Sequence, residues 1–232
     1  MPIRLYYTVF DKEGLLQKLQ QLDCVRFESE SEDRFFICYE KEAQSIPLSV
    51  SYNKVPKDFY PVILAFGRII DGCHLQLDLR SFERGLGMIE FIDQWIDRSF
   101  AKITHIASYN KLSTASNADD FANLDYDAIF AEDHMVVHDP ETTMDALEAA
   151  LNQAEDEEER QKIMERYLEQ RPQQELIVVE KYPIYYYEEG IERVGTTLML
   201  RSIVAMEHWN GNTACKPMDI LQKMFSNKAG YM

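Results

Sequence analysis

Two apolar runs separated by Asp71-Gly72 are the feature that most restricts the fold. The runs read FYPVILAFGRII and CHLQLDL and lie within residues 59–80. Asp-Gly between such runs is typical of a tight β-hairpin, because both turn positions favour residues that tolerate a positive φ. A hairpin joins neighbouring strands that run in opposite directions, so the sequence predicts an antiparallel sheet here.

Further strand patterns in the first half are joined by short connections. They read VRFESE at 25–30, RFFICYE at 34–40 and PLSVSYN at 47–53. Connections of so few residues cannot carry a parallel crossover, so these segments are predicted to be antiparallel neighbours. Residues 102–109, KITHIASY, alternate between apolar and polar types and predict one more strand.

Two segments of the first half carry apolar residues at helical spacing. A strand pattern, IRLYYTVF at 3–10, precedes a predicted helix at 12–22, for which Asp11 is a suitable N-cap. A second helix is predicted at 82–98, where apolar residues recur every three or four positions, although Gly85 weakens its first turn. Both helices are expected to pack on the sheet.

The second half combines a helical tract with apolar runs. Asp139-Pro140 is typical of a helix start, with Asp139 as the N-cap, and the helical pattern continues to about residue 170. A short helix is predicted at 216–225. Three apolar or aromatic runs between them are interpreted as strands, at 175–182, 183–189 and 191–206.

These patterns predict an α+β protein with a mostly antiparallel sheet and helices packed on one face. Composition changes at 110–128, which is polar and rich in small residues and therefore predicts a connecting loop. On this interpretation the loop joins an N-terminal lobe at 1–109 to a C-terminal lobe at 129–232. The alternative is one continuous domain.

Charge is the strongest compositional signal. The chain has 24 Lys and Arg against 40 Asp and Glu, a formal net charge of -16. A field of this sign repels phosphate backbones and anionic lipids, which disfavours binding to nucleic acid or to a membrane surface. It attracts cations, so a basic protein partner or a metal ion is expected. The alternative is that the charge serves solubility alone.

The densest acidic stretch lies in the sequence EDEEERQK. The candidate residues for contact with a basic partner are Asp156, Glu157, Glu158 and Glu159. Asp156 precedes Arg160 by four residues, and Glu158 precedes Lys162 by four. This spacing stabilises a helix through ion pairs on its surface, so a solvent-exposed helix without a partner is the alternative interpretation.

Cysteine spacing and the N-terminal residues bear on the cell compartment. Cys24, Cys38, Cys73 and Cys215 form no Cys-x-x-Cys pair and are predicted to be reduced thiols. The first residues lack a signal-peptide pattern, and no run of 18 uncharged apolar residues occurs. The expectation is a soluble, cytoplasmic protein without a membrane segment. The sequence specifies neither a cofactor nor an oligomeric state.

The segment EDHMVVHD at 132–139 is the strongest candidate for chemistry. Asp133, His134 and His138 are side chains that bind metal ions, and histidines four residues apart can share an ion on a helix. The two valines between them favour a strand instead, on which the histidines would stand about 13 Å apart. A metal site would then need His105 or a remote carboxylate to complete it.

Three functional hypotheses follow. The first is a non-catalytic acidic protein that engages a basic protein partner, as an inhibitor or immunity protein does. The second is a metal-dependent hydrolase that uses His134 or His138 with nearby carboxylates. The third is a small-ligand binder between two lobes. The sequence contains no phosphate loop, dinucleotide fingerprint or nucleophile elbow that would favour a particular enzyme class.

Overall fold

A computed structural model describes residues 1–111, 124–138, 150–154, 156, 158–163 and 178–228. Within these residues, eight strands form one sheet in the order β2-β3-β4-β5-β1-β6-β8-β7. Neighbouring strands are antiparallel except for β7 and β8, which run parallel. The strands are β1 (Ile3–Val9), β2 (Val25–Glu28), β3 (Ser31–Cys38), β4 (Ile63–Ile70), β5 (His74–Leu79), β6 (Ala101–Tyr109), β7 (Val136–Val137) and β8 (Val179–Pro183). The predicted α+β class is confirmed.

Six helices have bounds inside the described residues. They are α1 (Lys12–Gln20), α2 (Phe82–Trp95), α3 (Tyr126–Ile129), α4 (Tyr186–Glu189), α5 (Ile191–Trp209) and α6 (Pro217–Lys228). Helices α1, α2 and α5 share one apolar cluster with one face of the sheet, and we call this face of the sheet the helix face. Residues 158–163 are also helical. No helix in the described part of the chain is long and apolar enough to cross a membrane.

The Asp71-Gly72 signal marks the turn of a β-hairpin, as predicted. Asp71 has φ 50° and Gly72 has φ 70°, and the turn pairs Ile70 of β4 with His74 of β5. The helix predicted after Asp11 is confirmed as α1, and the Asp11 carboxylate accepts a hydrogen bond from Gly14 N at 2.9 Å. The predictions near 82–98 and 216–225 are confirmed as α2 and α6.

The core lies between the helix face of the sheet and helices α1, α2 and α5. It contains alternate residues of β1, together with Leu15 and Leu19 of α1 and Leu198 of α5. Gly85 of α2 approaches the sheet so closely that a Cβ at this position would overlap the side chain of Ile3. Close packing of α2 on β1 therefore explains a glycine that helix propensity alone disfavours.

Three strand predictions are wrong. Residues 47–53 form bends and a short 3-10 turn, in which the Tyr52 ring stacks on Tyr60 at 4.9 Å between centroids. The run at 183–189 mostly forms α4, and the run at 191–206 forms α5. In α5 the buried residues Val194, Leu198 and Ala205 recur at helical spacing, and burial of that stripe outweighs the strand preference of the β-branched residues.

Strands from both predicted lobes belong to the same sheet, since β8 pairs with β6. Most of the predicted connection lies outside the described residues, because residues 112–123 are not described, and Asp139 lies outside them as well. The four cysteines are free thiols. Cys24, Cys38 and Cys215 are buried, and Cys73 is exposed.

Candidate functional site

The sheet face opposite to the helix face carries charged side chains at its centre, and we call it the polar face. Side chains alternate between the two faces along a strand, so Arg4 lies on the polar face although both its neighbours, Ile3 and Leu5, are fully buried in the core. Asp78 stands between Leu77 and Leu79 in the same way. Arg4 and Asp78 are directly opposite each other in the β1–β5 register.

Arg4 and Asp78 form a buried ion pair with two contacts. Arg4 Nε donates to Asp78 Oδ1 at 2.5 Å, and Arg4 Nη2 donates to Asp78 Oδ2 at 3.0 Å. Arg4 is only 3% exposed and Asp78 only 7%. Burial raises the pKa of Asp78, an effect that the hydrogen bonds and charge of Arg4 oppose. Because a buried charge is stable only when it is paired, each residue fixes the orientation of the other.

Residues 124–138 cross the polar face, and we call them the cover segment. Asp127 of this segment accepts hydrogen bonds from Arg4 Nη2 at 2.9 Å and from Arg68 Nη1 at 2.7 Å, with a further contact to Arg68 Nη2. The Phe130 ring lies beneath the Arg4 guanidinium, with 5.1 Å between the ring centroid and Arg4 Cζ. The guanidinium of Arg68 is the main reason that the pKa of Asp127 is lowered to about 2.

Arg68 is itself held by a neighbouring strand. Its Nε donates to Gln76 Oε1 at 2.9 Å, across the β4–β5 pair in which these residues are opposite. Tyr6 is opposite Gln76 on the other side of β5, and His105 is opposite Tyr6. The row Arg68, Gln76, Tyr6 and His105 therefore runs across four adjacent strands, which gives it a rigid backbone.

Lys181 of β8 adds a third cationic side chain to the polar face. Its Nζ lies 3.9 Å from the centroid of the Tyr6 ring. Among the described residues, the ammonium thus contacts an aromatic face rather than forming a close ion pair. Burial lowers the pKa of Lys181, and the charge of Glu132 opposes this. A partly desolvated ammonium of this kind would be stabilised by a nearby anion.

A cavity of about 540 Å³ lies between the polar face and the cover segment. Its charged walls contain Arg4, Arg68 and Lys181 against Asp127 and Glu132, and two histidines, His74 and His105, also line it. Apolar walls come from the cover segment and the sheet, including Phe130, Met135 and Ile70. Concave sites of this size with a few convergent polar groups are typical of small-molecule binding.

A second charged cluster lies on the other side of β8. The Glu180 carboxylate, in a residue only 5% exposed, accepts from Asn110 Nδ2 and Arg201 Nε, each at 2.6 Å, and lies 2.9 Å from His138 Nε2. Burial would raise the pKa of Glu180, but His138, Arg201 and Asn110 together lower it to about 2. This cluster joins α5 to the sheet and to the end of the cover segment.

The two histidines proposed as metal ligands have different partners. His134 Nδ1 lies 2.9 Å from Asp133 Oδ1, and His134 Nε2 lies 3.0 Å from the Ile129 carbonyl. His138, as described above, contacts Glu180. No group of three His, Cys, Asp or Glu side chains within the described ranges is arranged to hold a metal ion. The metal site stays a prediction, which elemental analysis of the purified protein can test.

The proposed partner-binding acids are exposed where the structure describes them. Asp156, Glu158 and Glu159 are exposed, and Glu157 lies outside the described residues. Asp156 Oδ1 accepts from Glu159 N at 2.8 Å, as an N-cap does. The predicted pair of Glu158 and Lys162 is confirmed at 2.7 Å. Contact with a basic partner stays a prediction.

Of the residues of the polar-face site, the sequence indicated His105, as a possible metal ligand, but not the ion pairs of Arg4, Arg68, Asp78 and Asp127. The signal that could have found them is a charged residue inside an apolar strand, as with Arg4 in IRL and Asp78 in LDL. Two such strands with opposite charges predict a buried pair if the strands are neighbours. Asp127 has no comparable signal in the sequence, because it lies 123 residues away from Arg4 and 59 residues away from Arg68 along the chain.

Comparison with protein-family models, with curated proteins and with solved structures yields no match for this chain. The functional proposal therefore rests on the geometry and charge of the polar-face site.

Proposed function

We propose that the protein binds a small anionic molecule in the cavity on its polar face. The observation that carries this proposal is local charge. In a chain with a net charge of -16, the cavity walls bring together three cations, Arg4, Arg68 and Lys181, against two acids, Asp127 and Glu132, with two histidines beside them. Cationic side chains that line a concave site against the average charge of the chain favour an anionic ligand.

The arginines can recognise an oxyanion through oriented hydrogen bonds as well as attract it by their charge. A guanidinium presents several N–H donors in a fixed plane, which matches the oxygens of a carboxylate or phosphate. Gln76 orients Arg68 and Asp78 orients Arg4, through the hydrogen bonds described above. Side chains that are already oriented lose little conformational entropy when a ligand binds, which favours affinity.

Lys181 supplies a different kind of contact. Its ammonium is a point charge on a flexible stem, and it lies at the opposite side of Tyr6 from Gln76 in the sheet. A ligand with an anionic group at the arginines and a second polar group near Lys181 would span the Tyr6 ring. The apolar walls formed by Phe130 and Met135 suit the carbon skeleton of a small organic molecule.

Isothermal titration calorimetry with defined anions tests the proposal. The probes are inorganic phosphate, pyrophosphate, succinate, citrate and AMP at constant ionic strength. We expect at least one of them to bind, and the variants Arg68→Gln and Lys181→Gln to weaken that binding about tenfold or more, since a hydrogen bond to a charged group contributes roughly 1.5–3 kcal/mol.

The control variant is Arg26→Gln. It removes an exposed arginine of β2, at the far edge of the sheet, that pairs with Glu40 just after β3. It makes the same chemical change and should leave binding unaltered. Equal loss of binding in Arg26→Gln and Arg68→Gln would show that net charge, not the cavity, attracts the anion. Absence of binding by the whole panel would contradict the proposal.

The exposed acids Asp156, Glu158 and Glu159 support a second candidate function, contact with a basic protein partner. The test is co-precipitation from a cell lysate at low salt and near 1 M salt, where the Debye length shortens to about 3 Å. A partner held by these acids should be lost at high salt, and also in a variant with Asp156→Asn, Glu158→Gln and Glu159→Gln. Retention by that variant would exclude this surface.

A further inference from the structure

Asp127 occupies the position at which two arginines converge. One of its oxygens, Oδ1, accepts from both Arg4 Nη2 and Arg68 Nη2, and the other accepts from Arg68 Nη1. The Asp127 side chain is 65% exposed, whereas that of Arg4 is 4% exposed. The carboxylate thus reaches the arginines from the solvent side, where a diffusing ligand would also approach.

Arg4 does not depend on Asp127 for its charge balance, because Asp78 already pairs with it through two hydrogen bonds. Arg68 is likewise oriented by Gln76. If Asp127 moved away, the three N–H groups that now donate to it, one from Arg4 on β1 and two from Arg68 on β4, would still point at one place. Such an arrangement of donors favours an oxyanion, and the oxyanion now bound there is the Asp127 carboxylate, a planar group with two oxygens.

We infer that the Asp127 carboxylate is an internal substitute for a carboxylate of the ligand, and that the natural ligand is an organic acid whose carboxylate displaces Asp127 from Arg4 and Arg68. This inference rests on the proposed function and makes it specific. Because Asp127 belongs to the cover segment, binding of the acid also frees that segment from its ion pairs with the sheet. Asp127 is therefore a competitor that sets the affinity of the site.

The size of this competition follows from exposure. The Asp127 side chain is largely exposed, so solvent weakens its ion pairs, and the internal carboxylate lowers the affinity for an external one only moderately. Removing the Asp127 charge should strengthen binding of a carboxylate ligand about fivefold, the ratio expected when such a pair is lost. An acid that also reaches Lys181 can win this competition, because it gains a contact that Asp127 does not make.

Calorimetric titration with citrate tests the inference on the full chain. We expect Asp127→Asn to bind citrate about fivefold more tightly than the unaltered protein. The matched control is Asp125→Asn, which makes the same change of charge two residues away in the cover segment. Asp125 caps α3 by accepting from Ala128 N at 3.0 Å, a bond that asparagine can also accept, so its citrate affinity should not change.

A measurement on the unaltered protein makes the inference independent of how the variants fold. Amide hydrogen exchange of residues 126–130, including Phe130 N, which bonds to Tyr126 O at 2.9 Å, should become faster when citrate binds. Slower or unchanged exchange there in the citrate complex would overturn the inference.

The remaining outcomes separate this inference from the proposed function. If citrate binds Asp127→Asn and the unaltered protein equally while Arg68→Gln loses binding, the function stands and the inference fails. If phosphate or pyrophosphate binds and neither citrate nor succinate does, the carboxylate class is wrong although the site binds anions. If no probe binds any of these proteins, both proposals are wrong.

Discussion

On β1 the side chains of Ile3, Leu5 and Tyr7 pack in the core on the helix face, whereas Arg4 and Tyr6 lie on the polar face. Arg4 is 3% exposed and is therefore buried almost as completely as its apolar neighbours. One face excludes water by apolar packing. The other has a smaller apolar cluster, in which Tyr126 and Phe130 of the cover segment pack beside the buried ion pair.

This difference indicates what each face contributes. Apolar burial is the main source of folding stability. A buried ion pair contributes little net free energy, because desolvation of the charges offsets their attraction, and apolar residues of similar volume often serve stability as well or better. Stability therefore explains the apolar packing on both faces and does not explain the ion pairs of the polar face, whereas ligand recognition would.

The largest expected effect separates the faces at adjacent residues of β5. Leu77 is fully buried on the helix face, and Gln76 lies beside it on the polar face. Leu77→Ala should lower the free energy of unfolding by about 2–5 kcal/mol through the cavity it leaves. Gln76→Ala should lower it by about 1 kcal/mol, the value of one hydrogen bond.

Denaturant unfolding of both variants provides the measurement. Comparable losses would mean that the polar face contributes to stability as much as the core does, and the distinction between the faces would not hold. A change in the slope with denaturant rather than in the midpoint would instead indicate an altered unfolded state.

A somewhat smaller loss is expected at the second charged cluster. Glu180→Gln removes the negative charge that balances Arg201 and should lower the free energy of unfolding by about 3 kcal/mol, at the lower end of the range for broken buried pairs. The Arg201 side chain is 21% exposed, so water can reach it and limit the loss. Urea unfolding at neutral pH measures this effect.

The pH dependence of the same variant sharpens the test. The pKa of Glu180 is lowered from its ordinary 4.5 to about 2 in the folded protein. Its contribution to stability is therefore fully present above about pH 4.5 and is lost as the pH falls towards 2. Asp127 also contributes to the loss of stability at low pH. The informative quantity is therefore the difference between the stability–pH profiles of the unaltered protein and of Glu180→Gln. Parallel profiles for the unaltered protein and Glu180→Gln would contradict the assignment.

The sequence is a good guide to elements that are defined locally. The β4–β5 hairpin depends on two adjacent turn residues, and α1 on a cap and a stripe of leucines, so each is specified within one segment. The run that forms α5 contains both strand-forming residues and a helical stripe. Its packing against the sheet decides between them, and that packing involves residues far away in the sequence.

The polar-face site depends on pairings that one sequence does not reveal. Arg4 and Asp78 meet only because β1 lies next to β5 in the sheet. Asp127 reaches the arginines because the cover segment crosses that face, and no local pattern encodes this crossing. The acidic composition, by contrast, favours the exposed acids as a binding surface and does not indicate the three cations that line the cavity.

Two helical glycines provide a comparison within the helix layer. Gly85→Ala should lower the free energy of unfolding by about 1–3 kcal/mol, because its Cβ would overlap Ile3 in the core. Gly195→Ala in α5 should raise it by roughly 0.5–1 kcal/mol, because its Cβ would lie 3.5 Å from Leu86 Cδ1, an ordinary contact, and alanine favours the helix.

Thermal and denaturant melts of the two glycine variants give effects of opposite sign if α2 packs as closely on β1 as described. Stabilisation by Gly85→Ala would show that Ile3 can move aside at little cost, and the close approach would then not explain the glycine.

The smallest expected effect on stability is at Arg68. The side chains of Arg68 and Asp127 are 27% and 65% exposed, and exposed pairs contribute about 0.2–1 kcal/mol. Glutamine at this position keeps an amide N–H donor, so Arg68→Gln should lower the free energy of unfolding by less than about 1 kcal/mol. The coupling of Arg68→Gln with Asp127→Asn in a double-mutant cycle should be equally small, and smaller near 1 M salt.

The small expected change in the free energy of unfolding is informative about the two faces, because the same Arg68→Gln variant is expected to lose about tenfold or more in anion affinity. A large loss of binding with a small loss of stability would separate recognition from folding at one residue, which Leu77 on the helix face cannot do. A coupling above about 3 kcal/mol, the range of buried pairs, would mean that Asp127 and Arg68 hold the cover segment in place as part of the fold. A ligand could not then displace Asp127 readily, and the polar face would be structural after all.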